Sequence, residues 1–513
     1  MRNEQGGITR RGALQAALLG GALLLPTRFA GQALGWGGGS WDGRWDNTWD
    51  SRDSTSPAFT PYTTDLPIAP VLAPTSSTST TDYYNVNMQA AQVQIIPGVT
   101  TPVWGYNGLY PGPTIKARKG RQVVIRQQNL LSEAMTTHLH GGYVDGDSDG
   151  HPNDLIAPNG FKDYVYSNNQ NARTMWYHDH AEMTTARHVY RGLAGFYILT
   201  DDLEDALPLP KGAYDVPLVI QDRRFNSDGT LNYPSDSVSD EGFQGDVIVV
   251  NGAARPRFQV ANRKYRFRIL NGSNARPYKL ALSSGSFTLI GTEGGLRETP
   301  LSMTSLPIWP AERYEIVIDF SKYAVGTKVV LKNLLGSGTT AEIMRFDVVR
   351  QETDTSSIPS TLRSAANQAD ATHLATTTSA SVATRYWDFD REWPDLYVIN
   401  GKTYDPNRFD ATPKEGTTEI WSFTTGRGWS HPVHVHLTNF KILDRNGRAP
   451  LAHEQGWKDT VALGPEETVR VLIKWPTVPL GPTPGLFTRR YVFHCHNVEH
   501  EDHDMMSQFK VIP

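Results

Sequence analysis

Ten of the chain's fifteen histidines fall in four short clusters: His138-Leu139-His140, His178-Asp179-His180, His431-Pro432-Val433-His434-Val435-His436, and His494-Cys495-His496 followed by His500. The spacing His-x-His occurs four times. On a β-strand, residues i and i+2 point to the same face, so each pair presents two imidazoles toward one point. Imidazole suits Zn, Cu, Fe and Ni, and eight of them are too many for one ion but suit a cluster of three. One such pair is most often a surface feature, and two pairs are enough for a mononuclear zinc site. Four pairs divided between both ends of the chain fit neither reading.

The last cluster adds a softer ligand. In the strand expected over Tyr491-Val492-Phe493-His494-Cys495-His496, alternation puts His494 and His496 on one face and Cys495 on the other. One strand then touches two metal sites. A thiolate, two imidazoles and a weak thioether make a blue-copper site. Cys495 has His500 five residues on and Met505 ten residues on, with His431 available from a second loop. Met506 is adjacent, and spacing favours Met505. Cys495 is the only cysteine, so no internal disulfide is possible and the thiol needs shelter. The covalent path from Cys495 to His494 and His496 would connect the two sites. His151, His188, His373, His453 and His503 lack such spacing, and solvated or hydrogen-bonded structural roles are expected for them.

These residues need strands to hold them. Forty-five glycines and 33 prolines, with 10% aromatic residues, describe turn-rich β-structure and argue against a helical bundle. Tyr265, Phe267 and Ile269 alternate with Arg266 and Arg268; Tyr314, Ile316, Ile318 and Phe320 alternate with Glu315 and Asp319; Val469, Val471, Ile473 and Trp475 alternate with Arg470 and Lys474. All three read as half-buried strands. At ~100–200 residues per domain, 513 residues predict three or four domains. The expected divisions are an export signal over 1–35, a Gly/Trp- and Ser/Thr/Pro-rich linker over 36–80, domains over 81–202, 203–351 and 385–513, and a Ser/Thr/Ala-rich linker over 352–384. Each domain has the length of a β-sandwich.

The signal reading rests on Arg10-Arg11, the apolar run from Gly12 to Leu25, and small residues including Ala30 and Ala33. It predicts export to the periplasm or the exterior, with the paired arginines pointing to the twin-arginine route. The apolar run is shorter than the ~20 residues that a membrane helix needs, so no integral membrane segment is expected. Lys plus Arg total 49 against 53 Asp plus Glu, a net charge of −4 that argues against a nucleic-acid partner.

The four histidine motifs, in this order, resemble the multicopper oxidases, and the likeness covers nearly all of the chain from residue 81. Within that family, Trp176-Tyr177-His178-Asp179-His180, Arg191-Gly192-Leu193-Ala194-Gly195, Pro310-Ala311-Glu312-Arg313-Tyr314 and His500-Glu501-Asp502-His503-Asp504-Met505-Met506 are similar to stretches of the bilirubin oxidases and bacterial spore-coat laccases. The resemblance implies an all-β chain of three cupredoxin-like Greek-key sandwiches, with the trinuclear cluster between the first and third. It implies four copper ions: a type 1 ion on His431, Cys495 and His500 with Met505 axial; a type 2 ion on His138 and His434; and a type 3 pair on His140, His178, His496 and on His180, His436, His494. It also implies a monomer that couples four one-electron oxidations of small donors to reduction of O₂ to two waters. Phenols, aromatic amines and tetrapyrroles are the donor classes it favours.

Two waters need four protons, and Asp149 and Glu501 match acids that relatives use as proton donors; the alternative is that they only orient histidines. The axial methionine implies a moderate potential. Trp429, two residues before His431, matches a feature of the bilirubin oxidases and is expected to shape substrate access, or else simply to pack beside the site. The rival enzyme reading is a cuprous or ferrous metal oxidase, weakened because nine methionines are present without a run of them. A copper nitrite reductase or a copper carrier leaves several His-x-His pairs unexplained. A non-catalytic exported scaffold of the same fold is the rival from another class, and its hallmark, the loss of copper ligands, is missing here.

Overall fold

The computed structural model describes residues 56–234, 242–370, 382–392, 396–426, 430–481 and 484–513. The export signal, the first half of the 36–80 linker, His373 and Trp429 lie outside them. The described residues form three cupredoxin-like β-sandwiches. In the first, a sheet containing Thr81–Val93, Gln122–Asn129 and Phe161–Tyr166 packs on one ordered Gly112–Arg118, Ala194–Thr200, Arg173–His178, His138–His140. The second pairs a seven-stranded with a five-stranded sheet around Leu218, Phe267, Leu280 and Phe346. In the third, the sheet containing Thr418–Thr425 and Thr468–Lys474 covers one ordered Thr460–Leu463, His431–Val435, Arg490–Cys495, Met506–Lys510. No helix among the described residues is long and apolar enough to cross a membrane.

Strand pairing in the first and third sandwiches brings the histidine motifs together. His138 is the register partner of His178, and His434 that of His494, so each sandwich aligns its two motifs across one strand pair. Val433 is the partner of Cys495. The four pairs are not all embedded in strands as the spacing suggested. His138 and His140 lie within one, whereas His180, His436 and His496 fall just beyond strand ends at His178, Val435 and Cys495. Ring centroids within the pairs are nonetheless 4.9–5.7 Å apart.

One sequence expectation needs correction. The strand Thr468–Lys474 is half-buried, with Arg470 exposed, but Lys264–Asn271 and Arg313–Asp319 are buried on both faces. Arg268, Arg313 and Glu315 on them meet Thr174 of the first sandwich. Arg268 donates Nε and Nη2 to Asp215 (both 2.8 Å), Nη2 also to Glu204 (2.9 Å), and Nη1 to Glu315 (3.0 Å) and to Thr174 (3.1 Å). Arg266 pairs with Glu315 and Glu204. Alternation reports which side of a strand is polar, and a neighbouring sandwich can cover that side when the charges are paired.

The segments read as linkers are held along their described lengths. Tyr62 and Leu66 donate backbone bonds to Arg255 and Arg257 of the second sandwich, and Leu72 donates to Thr114 of the first. Downstream, the Leu362 N–H donates to the Glu298 carbonyl, Arg363 pairs with Asp201, and Asp370 with Arg173.

Candidate metal centre

The smaller group of donors surrounds Cys495. His431 opens the strand beside it, and His500 sits on the short helix Val498–Asp502 that follows it. Cys495 Sγ lies 3.4 Å from His431 Nδ1 and 3.7 Å from His500 Nδ1, and the two nitrogens are 3.2 Å apart. All three side chains are buried. Met505 is wholly buried in the same apolar cluster as Cys495, and its carbonyl accepts the Cys495 N–H at 3.0 Å. Met506 instead packs with Tyr404 and Val492, so the side chains of the two methionines separate as the spacing favoured. Burial pushes the Cys495 thiol up and draws His431 down to about 3. A thiolate here needs a cation to offset its desolvation, and two neutral imidazoles complete a site for one.

The larger group is eight buried imidazoles, four from the first sandwich and four from the third. His180 and His436 each place Nε2 at 3.2–3.3 Å from His494 Nε2. Ring centroids of His140, His178 and His496 are 5.1–5.9 Å apart, and those of His138 and His434 are 5.8 Å apart. His138 stacks on His436 at 3.8 Å and His140 on His434 at 3.6 Å, across the junction between sandwiches.

The nitrogens divide by role. His138 Nδ1 donates to the Asp149 carbonyl (2.5 Å), His178 Nδ1 to the Asp179 carbonyl (2.8 Å) and His434 Nδ1 to the Asp459 carbonyl (2.8 Å). Their Nε2 atoms, together with His140 Nδ1 and both nitrogens of His496, are buried and find no hydrogen-bond partner among the described residues. A buried polar atom without a partner costs roughly 1–3 kcal/mol. Clustered acceptors facing one another are reconciled by bound cations, so the residues fit a multinuclear metal site. Burial, reinforced by neighbouring imidazoles, holds His138, His140, His178, His434 and His436 well below the ordinary histidine range, in the neutral form that ligates metal.

Carboxylates back this assembly. Asp149 Oδ2 accepts from His436 Nδ1 at 2.6 Å, and burial holds the Asp149 carboxyl well above its ordinary range. Glu501 places Oε1 at 3.2 Å from His180 Nδ1 and Oε2 at 3.1 Å from His494 Nδ1. Burial pushes Glu501 up, but the imidazoles of His180, His494 and His496 outweigh it and hold the carboxyl below the usual range. Sequence reading missed a third carboxylate, Asp459, whose Oδ1 is 3.2 Å from His140 Nε2. Nothing in its local sequence marks it, because the two side chains it pairs with, His140 and Arg313, belong to the other two sandwiches. Trp176, which the sequence motif does not mark as part of the site, stacks on His178 at 4.1 Å. Of the histidines set aside, His151 bonds Gln508 (2.8 Å), His188 bonds Asp179 (2.7 Å) and His503 bonds the Glu499 carbonyl (2.7 Å).

Three family models described as Multicopper oxidase match residues 87–204, 199–347 and 366–513. The chain is 38% identical to a bilirubin oxidase of Albifimbria verrucaria over 88% of its own length and 82% of that protein. It is 36% identical to a laccase of Bacillus subtilis over 86% and 96% respectively. The crystal structure of a laccase from Pediococcus acidilactici superposes with a TM-score of 0.81 at 31% identity, covering 91% of this chain and 97% of that one. With the donor sets above, these matches place the chain in the multicopper oxidase family as a copper-binding oxidase of the laccase and bilirubin oxidase type.

Proposed function

We propose that the chain carries four copper ions and couples four one-electron oxidations of phenolic, aromatic amine or tetrapyrrole donors to reduction of O₂ to two waters. His431, Cys495, His500 and Met505 would hold the type 1 ion; His138 and His434 would hold the type 2 ion, and His140, His178 and His496, with His180, His436 and His494, the type 3 pair. Copper, when bound, supplies the one-electron chemistry at Cys495 and the reduction of O₂ at the cluster. The observation that carries this reading is Cys495 itself: it lies in one buried donor set while its neighbours His494 and His496 belong to the other. The peptide between them is a covalent electron path.

The chain's own groups do the remaining work. Glu501 and Asp149 orient four imidazoles between them and deliver protons inward; Glu501 bridges His180 and His494 while Asp149 meets His436 and His138. The tight packing of eight rings excludes bulk water from the junction. Trp429, two residues before His431 in the sequence, shapes donor access. The three sandwiches correspond to domains over 81–202, 203–351 and 385–513, and the protein works as an exported monomer, periplasmic or extracellular, reached by the twin-arginine route.

Oxygen uptake by copper-loaded protein with a phenolic dye, with a peroxide assay on the same sample, tests the reading. Uptake at four donor electrons per O₂ without peroxide is the expected result. No uptake from protein shown to hold its copper, or uptake with cuprous ions alone, would replace it with the non-catalytic or metal-oxidase reading.

A further inference from the structure

The second sandwich supplies no histidine to the cluster, yet one of its side chains reaches it. Arg313, at the head of the strand Arg313–Asp319, donates Nη1 to Asp459 Oδ1 (2.8 Å) and Nη2 to Asp459 Oδ2 (2.5 Å), with both side chains wholly buried. The same guanidinium donates Nε to the Thr174 carbonyl of the first sandwich (3.2 Å) and Nη1 to the Ala311 carbonyl (3.0 Å). The fork therefore touches all three sandwiches. Ala311 sits at φ +69°, a left-handed conformation that a non-glycine residue adopts only when its surroundings impose it. This accounts physically for the Pro310-Ala311-Glu312-Arg313 motif, which the copper chemistry by itself leaves unused.

Asp459 passes the anchor on to two histidines. Its Oδ1 accepts from His140 Nε2 (3.2 Å) and from Thr460 Oγ1 (2.9 Å), and its carbonyl accepts from His434 Nδ1 (2.8 Å). Asp149 thus meets His138 and His436, Glu501 meets His180 and His494, and Asp459 meets His140 and His434. Among the eight, His140 alone gives its Nε2 to a carboxylate, which leaves Nδ1 for the cluster. Gly141 is an independent sign of the same pair. It has φ +87°, and a Cβ there would lie 2.7 Å from Arg313 Nη2 and 2.9 Å from Asp459 Oδ2. The glycine that closes His138-Leu139-His140-Gly141 leaves room for the ion pair.

We propose that Asp459, anchored by Arg313 of the second sandwich, is a positioning residue that fixes His140 and His434 and makes His140 present Nδ1 to the metal. The proposal rests on the copper reading above. Metal-ligand histidines depend on such partners, whose loss costs about tenfold to a hundredfold in metal affinity or activity.

The test uses the full chain with Asp459→Ala, Asp459→Asn and Gly141→Ala, beside the wild type. Copper per chain, the blue absorbance of the Cys495 site and the type 2 paramagnetic resonance signal are read on each sample. Asp459→Ala is expected to keep the blue band while cluster copper affinity falls by about tenfold to a hundredfold through the loss of the His140 bond, and the type 2 signal is altered because loss of the Arg313 anchor moves the Asp459 carbonyl that holds His434. Asp459→Asn is expected to lose less, since an amide oxygen still accepts from His140. Gly141→Ala changes no ionisable group, and is expected to shift the type 2 signal by displacing the pair. If Asp459→Ala does not fold, the other two variants decide. Wild-type copper content and an unchanged type 2 signal in a folded variant would overturn the proposal, as would loss of the blue and cluster signals in equal proportion. Wild-type protein without a blue band or a type 2 signal would instead refute the copper reading.

Discussion

The Cys495 group and the eight-histidine cluster are adjacent along the strand Arg490–Cys495, yet they are built differently. Every donor near Cys495 comes from the third sandwich, within the last 83 residues of the chain. The cluster draws four histidines from each of two sandwiches and is braced from a third by Arg313. A group held by one sheet and the turn after it needs only local folding. A group split across an interface needs the interface as well, and so inherits the stability of the contacts that dock the sandwiches together.

The largest effect is expected from Cys495→Ser. It should abolish the blue band and turnover with organic donors while leaving the fold and cluster copper in place; oxidase activity retained at wild-type level would break the division into two sites. Next comes Arg268→Met, which takes the close partner from Asp215 and leaves Glu204 and Glu315 to Arg266 alone in the buried junction between the first and second sandwiches. About 3–5 kcal/mol of stability should be lost, read from urea unfolding, with cluster copper lost more readily than copper at Cys495.

The same junction predicts an acid dependence. Burial pushes the Glu204 carboxyl up, but Arg266 and Arg268 outweigh it and hold it below its ordinary value of 4.5. A depressed carboxyl stabilises the fold fully above its unfolded value, so this contribution is lost as pH falls below 4.5 toward the folded value. Thermal midpoints of wild type and Glu204→Gln should therefore converge as pH drops from 6 to 3; a constant gap would remove Glu204 from the account.

Smaller effects sharpen the contrast. Glu501→Gln should slow steady-state O₂ consumption by about a hundredfold while anaerobic bleaching of the blue band keeps its wild-type rate. An equal slowing of both would reduce Glu501 to an orienting group for His180 and His494. Met505→Leu nearly conserves volume, so its cost in stability should stay below about 1.5 kcal/mol. Its readout is the potential of the blue site, which is expected to rise on loss of the axial thioether; an unchanged potential would mean that Met505 only packs.

Much of this was legible in the sequence because metal ligation uses few residue types at short, strand-compatible spacings. The His-x-His pairs, the lone cysteine between two histidines, and the offset of five residues to His500 all report local geometry. Alternation in Val469, Val471 and Ile473 was equally reliable, since Arg470 between them meets solvent. The same pattern misled at Tyr265, Phe267 and Ile269, because Arg266 and Arg268 are buried and paired with Glu204, Asp215 and Glu315, with Thr174 of the neighbouring sandwich against them. Hydropathy records polarity, and a buried ion network has the polarity of a wet surface.

What the sequence by itself determined is the kind of chemistry: clustered imidazoles beside one thiol, of the types that bind metal, and a strand whose alternation directs Cys495 and its neighbouring histidines to opposite faces. Only the tertiary structure decided how the eight rings stack across the junction, which nitrogen of each ring faces inward, and that Asp459 and Arg313 brace His140 from outside the ligand set. The physical reason is reach. A ligand motif is written in residues a few positions apart, where backbone geometry fixes the distances. The orientation of His140, His180 and His436 is set by Asp459, Glu501 and Asp149 of the opposite sandwich, which meet those rings only when the sandwiches pack together.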